Sequence, residues 1–226
     1  MKVQLSDEFL TERELKNLVR IKDCNYDITG ATIEKVEYDK ANIILICDNS
    51  GSMSGSVGSL QNAVNKFLDT SNEKETLGFY TFDDNILQSL PLGTASVDDI
   101  RNAVGNMGDF GGTNIFGTLT SVLSGVSYVE DANQVIILMT DGQDGGNHDY
   151  AAIEAEIGNV AISKGYMVYV VGMGSSINYD YLTNIASSTG GQILYSPTDS
   201  QLEEMYQFIH GAIDNQYKIT FTAKDT

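Results

Sequence analysis

The chain reads as a doubly wound α/β domain: a mostly parallel sheet of six strands with one antiparallel edge strand and helices on both faces. Three observations predict it. Continuous apolar runs recur at Asn42 to Cys47 (NIILIC), Gln134 to Thr140 (QVIILMT) and Tyr166 to Gly172 (YMVYVVG), and unbroken rather than alternating apolarity belongs to strands covered on both sides. Helical periodicity lies between them. Strand and helix then alternate along the chain, which right-handed crossovers convert into a parallel sheet.

The first strand, Asn42 to Cys47, is followed by a helix whose Val57, Leu60, Val64, Phe67 and Leu68 share one face. Leu77 to Phe82 is the second strand. Ile86 to Leu92 comes after only Asp83, Asp84 and Asn85. That is too short for a crossover helix, so this run is expected to be antiparallel at an edge, with the two aspartates serving the turn. Ile115, Leu119, Val122, Leu123 and Val126 form the next apolar stripe, and Gln134 to Thr140 the fourth strand. Ile153, Ile157, Val160 and Ala161 precede Tyr166 to Gly172. Gln192 to Tyr195 is the last core strand, and a final helix over Ser200 to Ile213 turns Leu202, Met205, Tyr206 and Ile209 inward.

The flanks differ from this core. Residues 1–40 carry a capping-box spacing at Thr11-Glu12-Arg13-Glu14 and an alternating run at Ala31 to Glu37; residues 214–226 contain β-prone Tyr217 to Thr222. The expected division is 1–40, 41–213 and 214–226, with the two flanks read as parts of a neighbouring module.

Composition excludes several function classes. Among 226 residues, 31 acids oppose 13 bases, a formal charge of −18, so a basic face for nucleic acid is not expected. No apolar run approaches 18 residues, and MKVQLSDEFL lacks the apolar stretch of a signal peptide; direct membrane insertion is not expected. Two cysteines make neither a disulfide framework nor a zinc site. Cys47 reads as a buried thiol, and a bridge to Cys24 is compatible with the count.

Ligands of open α/β sheets bind at the carboxyl edge, near the switch in strand order. Asp48, Ser50 and Ser52 follow the first strand in DNSGSM, Asp141 follows the fourth in MTDG, and Thr113 follows Gly111 and Gly112 at a helix start. Two carboxylates and three hydroxyls offer oxygen alone, which suits a hard cation: Mg²⁺, with Mn²⁺ or Ca²⁺ also compatible. Asp109, Asp144, His148 and Asp149 fall in the adjoining loops and form a candidate rim for ligand contact. Any one of these pieces alone is ordinary loop or cap chemistry; their shared sheet edge distinguishes them.

Catalysis is not expected. Phosphoryl transfer needs a nucleophile or base and a phosphate cradle besides a metal, whereas no G-x-x-x-x-G-K-[ST] occurs and His148 and His210 are the only histidines. The turn after the first strand also lacks G-x-G-x-x-G.

The spacing D-x-S-x-S, then Thr, then Asp, at Asp48, Ser50, Ser52, Thr113 and Asp141, resembles a von Willebrand factor type A domain of bacterial type with a metal-ion-dependent adhesion site. The stretch VGMGSSINYDYLTNIASSTGGQILY, residues 171–195, is similar to the closing strand, helix and TGG turn of that family. The resemblance covers about residues 41–213. It implies a Rossmann-like fold and a divalent cation held directly by Ser50, Ser52 and Thr113 and directly or through water by Asp48 and Asp141. It further implies a protein partner captured through an acidic side chain, on a secreted or cell-surface protein. The alternative it leaves open is an intracellular subunit that docks onto an ATPase or chelatase-like complex.

Overall fold

A computed structural model describes residues 2–4, 26–36, 38, 40–142, 144–145, 150–173, 179–196 and 216–225. The chain divides into two compact units, Met1–Tyr38 with Phe208–Thr226, and Asp39–Gln207. In the first, strands β1 (Lys2–Gln4), β2 (Tyr26–Val36) and β9 (Gln216–Asp225) form an antiparallel sheet in the order β1-β9-β2. The amino- and carboxyl-terminal flanks thus pair with each other, a relation no local pattern discloses. The expected helix after Thr11, and that over Ser200 to Ile213, lie outside the described residues.

The second unit is a six-stranded sheet in the order β5-β4-β3-β6-β7-β8. Its strands are β3 (Lys40–Asp48), β4 (Glu75–Phe82), β5 (Ile86–Leu90), β6 (Ala132–Thr140), β7 (Tyr166–Met173) and β8 (Ile193–Ser196). All neighbours are parallel except β4 and β5. β6 and β7 are buried along their whole length, whereas β5 alternates between half-buried and exposed. Continuous apolarity therefore does mark the strands covered on both faces, and the three-residue link before Ile86 does place β5 antiparallel at the edge.

Among the described residues five α-helices connect these strands: α1 (Val57–Thr70), α2 (Val97–Gly105), α3 (Ile115–Gly125), α4 (Tyr150–Ser163) and α5 (Tyr179–Ser188). Side chains alternate across each strand. Ile44, Ile46, Ile136, Leu138, Val168 and Val170 take one face and pack with Ile115 and Leu119 of α3, Ile157 of α4, and Leu182 and Ile185 of α5. The intervening Ile43, Leu45, Val135, Ile137 and Tyr169 are equally buried on the other face, as are Leu60, Val64 and Phe67 of α1 and Ile100 and Val104 of α2. Burying each such side chain contributes about 1.5–3 kcal/mol.

Helix α2 has no counterpart in the hydrophobic pattern read above, because nine residues carry too few apolar positions to show a period. Its start is nonetheless written locally. Ser96 accepts from the Asp99 amide at 3.1 Å, while Asp99 accepts from the Ser96 amide at 3.0 Å, a reciprocal capping box. No helix among the described residues is long and apolar enough to cross a membrane.

Strand order reverses beside β3: the chain runs outward to β4 and β5, then returns to β6 on the opposite side of β3. Register then aligns the two strand ends. Cys47 lies opposite Met139, which sets Asp48 beside Thr140 on the face shared by Ile46 and Leu138.

Candidate metal centre

At the reversal point β3 ends in Asp48, a fully buried carboxylate. Its Oδ1 accepts from the Ser50 amide at 2.9 Å and its Oδ2 from the Thr140 hydroxyl at 2.5 Å. Burial pushes the Asp48 carboxyl up to about 6; the hydrogen bonds from Ser50 and Thr140 oppose that rise, and the charge of Asp141 adds to it. Ser50, fully buried, shares a hydrogen bond with exposed Ser52 at 3.0 Å between the two hydroxyls. Both belong to a tight turn in which the Met53 amide donates to the Ser50 carbonyl and buried Met53 pins the short 3₁₀ segment Gly51–Met53 to the core.

Asp141 follows β6 and is only 8% exposed. Its Oδ1 is fully buried and accepts no hydrogen bond among the described residues. An unpaired buried carboxylate oxygen costs free energy unless a donor or cation faces it, so the two aspartates are not equivalent: Asp48 has a donor on each oxygen, and Asp141 retains a free one. The turn that aims Asp141 is held from both sides. Gly142, at φ 82°, adopts a left-handed conformation that a side chain would strain; its amide donates to the Thr140 hydroxyl at 2.9 Å, and its carbonyl accepts from the buried Tyr181 hydroxyl at 2.6 Å.

Thr113 is half-buried in the loop between α2 and α3. That loop is tied to both others. The Gly51 amide donates to the Gly111 carbonyl at 3.1 Å, the Phe110 amide to the Asn49 carbonyl at 3.0 Å, and the Gly145 amide to the Thr113 carbonyl at 2.8 Å. Asp48, Ser50, Ser52, Thr113 and Asp141 thus sit on three loops laced together at one sheet edge. Among the described residues no group of three or more His, Cys, Asp or Glu side chains could hold a metal. Any ion here would depend on the hydroxyls, an all-oxygen set suited to a hard cation.

The rim candidates separate. Asp109 is half-buried in the Thr113 loop. Asp144 is engaged: its Oδ1 accepts from the Ile115 amide at 2.8 Å, at the first turn of α3, where a carboxylate also meets the positive end of the helix. Beside it Asn114 caps α3 by accepting from the Gly117 amide at 2.9 Å. His148 and Asp149 lie outside the described residues. Asp83 accepts from the Asn85 amide at 2.8 Å, as a turn residue should, while Asp84 reaches across to the Gly112 amide at 2.9 Å and so helps hold the Thr113 loop.

Three residues that organise the site escape a reading of motifs. Asn49 accepts from the Gly108 amide at 2.7 Å through its side chain, Thr140 bridges Asp48 to Gly142, and Tyr181 anchors Gly142. A hydroxyl closing the apolar run QVIILMT was the available signal for Thr140. Tyr181 offers none, because its partner is 39 residues away.

Comparison with known proteins places the fold. The human inter-alpha-trypsin inhibitor heavy chain H4 is 27% identical over 186 residues, covering 74% of this chain and 20% of that protein. The chain therefore spans about a fifth of the length of that relative. Proximal thread matrix protein 1 from the mussel byssus, solved with a zinc-occupied MIDAS motif, superposes with a TM-score of 0.64 at 19% identity, over 87% of this chain and 50% of that one. The pilus adhesin SpaC from Lactobacillus rhamnosus GG, in its open conformation, gives 0.61 at 15% identity over 85% and 34%. The family profile of the von Willebrand factor type A domain matches residues 42–208, three quarters of the sequence, and the chain belongs to that family.

Proposed function

We propose that the unit Asp39–Gln207 is a divalent-cation-dependent protein-binding module, itself part of a secreted or cell-surface protein and without catalytic activity. The observation that carries the reading is the unpaired, buried Oδ1 of Asp141 beside the fully paired Asp48, at the switch point of the sheet. Ser50, Ser52 and Thr113 would hold the ion with Asp141, and Asp48 would act directly or through water. Mg²⁺ is the expected ion, with Mn²⁺ or Ca²⁺ also suited to such oxygens. A bound divalent ion supplies positive charge and an open coordination position for a partner's carboxylate. The zinc-occupied motif of the byssus protein and the adhesin role named for SpaC support this reading by likeness of fold.

Titration calorimetry with Mg²⁺ tests the site. Wild type is expected to bind one ion and to melt at higher temperature in its presence, and Asp48→Ala to lose both responses while remaining folded. Absence of Mg²⁺-dependent heat and of stabilisation in wild type would remove the metal site, and the proposal with it.

A further inference from the structure

The loop that carries Thr113 also carries Phe110, which is 71% exposed. Single exposed apolar residues are ordinary, but this one is held in place. Its amide donates to the Asn49 carbonyl at 3.0 Å. Asn49, only 5% exposed and next to Asp48, also accepts through its side chain from the Gly108 amide at 2.7 Å. One buried polar residue of the first metal loop thereby grips the second loop on either side of Asp109. The ring lies over Gly108, where an added Cβ would stand 2.7 Å from the ring edge, so a glycine is needed for the ring to rest there. The next residue, Gly111, accepts from Gly51 between Ser50 and Ser52. The backbone that carries the ring is therefore held against the loop of Ser50 and Ser52 before anything binds, which limits the entropic cost of ordering it.

The surroundings restrict what can lie on it. Asp109 on the same loop, and Asp83 and Asp84 on the β4–β5 turn bonded to it, are exposed or half-buried, and the chain carries −18. A second acid in the partner would meet repulsion everywhere except at a bound cation. An uncharged apolar side chain meets none, and unlike a basic one it gives up no charge hydration in covering Phe110 and removing apolar surface from water.

Resting on the metal-dependent reading, we infer that Phe110 is a specificity-determining contact and that the partner is a protein segment with one acidic residue flanked, within two positions, by an aliphatic or aromatic one. The acid addresses the metal centre and its neighbour packs on the Phe110 ring.

A random peptide library displayed on phage, selected on the full chain in Mg²⁺, provides the test, together with Phe110→Ser and Phe110→Leu. Selected peptides are expected to share an acid with an apolar residue within two positions and to bind Phe110→Ser at least tenfold more weakly. Phe110→Leu should recover part of that loss, and Mg²⁺ affinity by calorimetry should be the same in all three proteins. Peptides with an acid but no apolar preference, or equal binding by Phe110→Ser, overturn the role of Phe110 and leave the metal centre standing. Binding that survives EDTA overturns the metal-dependent reading instead. Failure to enrich any peptide overturns the inferred partner.

Discussion

Asp48 shows how a single residue can be both a structural burden and a candidate metal ligand. Burial raises its carboxyl from the ordinary 3.8 to about 6, so in the metal-free protein the folded state holds this proton more tightly than the unfolded chain does. Its contribution to stability is complete below about pH 4 and is lost as pH rises through about 6; two units correspond to about 3 kcal/mol. Urea unfolding in EDTA between pH 4 and 7 is therefore expected to show a steeper decline for wild type than for Asp48→Asn, which carries no titrating group at that position. Parallel curves would show that the buried charge is relieved some other way.

Between elements, one lysine secures a helix end. The Lys164 ammonium donates to the carbonyls of Leu123 and Val126, the latter at 2.7 Å, at the carboxyl end of α3. Charge-assisted bonds to terminal carbonyls offset groups the helix itself leaves unpaired, and the positive charge complements the helix dipole. Lys164→Met keeps the aliphatic stem and removes both bonds, so a loss of about 2 kcal/mol is expected in urea denaturation. The surface pair Arg101–Asp69 at 2.6 Å, with Asp69 largely exposed, contributes well under that. At this scale sequence and structure agree best for long elements. β3, β6 and β7 were legible because burial on both faces imposes unbroken apolarity, and β5 because three residues cannot hold a crossover. Helix α2 was not, since its apolar positions Ile100, Ala103 and Val104 complete only one turn's stripe.

Over the whole molecule, a charge of −18 sets a field that favours small cations and opposes acidic partners. Mg²⁺ affinity measured by calorimetry is expected to fall several-fold between about 10 mM and about 0.5 M NaCl, as the Debye length shrinks from about 30 Å to a few ångströms. Affinity independent of salt would confine the attraction to Asp48 and Asp141. The same field disfavours a second acid beside the metal-bound one, and the exposed Phe110 ring makes an apolar neighbour to the acid the expected accompaniment.

By itself the sequence determined the class of the fold and the chemistry of the candidate donors. Apolar runs of strand length alternating with helical stripes have one economical solution, and Asp48, Ser50, Ser52, Thr113 and Asp141 announce themselves as oxygen donors at strand and helix ends. Only the tertiary structure decided how they differ. Register sets Thr140 beside Asp48 and so pairs its second oxygen, while Asp141 keeps Oδ1 unpaired on a turn whose Gly142 is held by Tyr181 from α5. Asn49 grips the Thr113 loop, and Asp144 turns to the start of α3. Each of these depends on a partner distant in the chain, and a hydrogen bond across that distance leaves no periodic trace in the sequence.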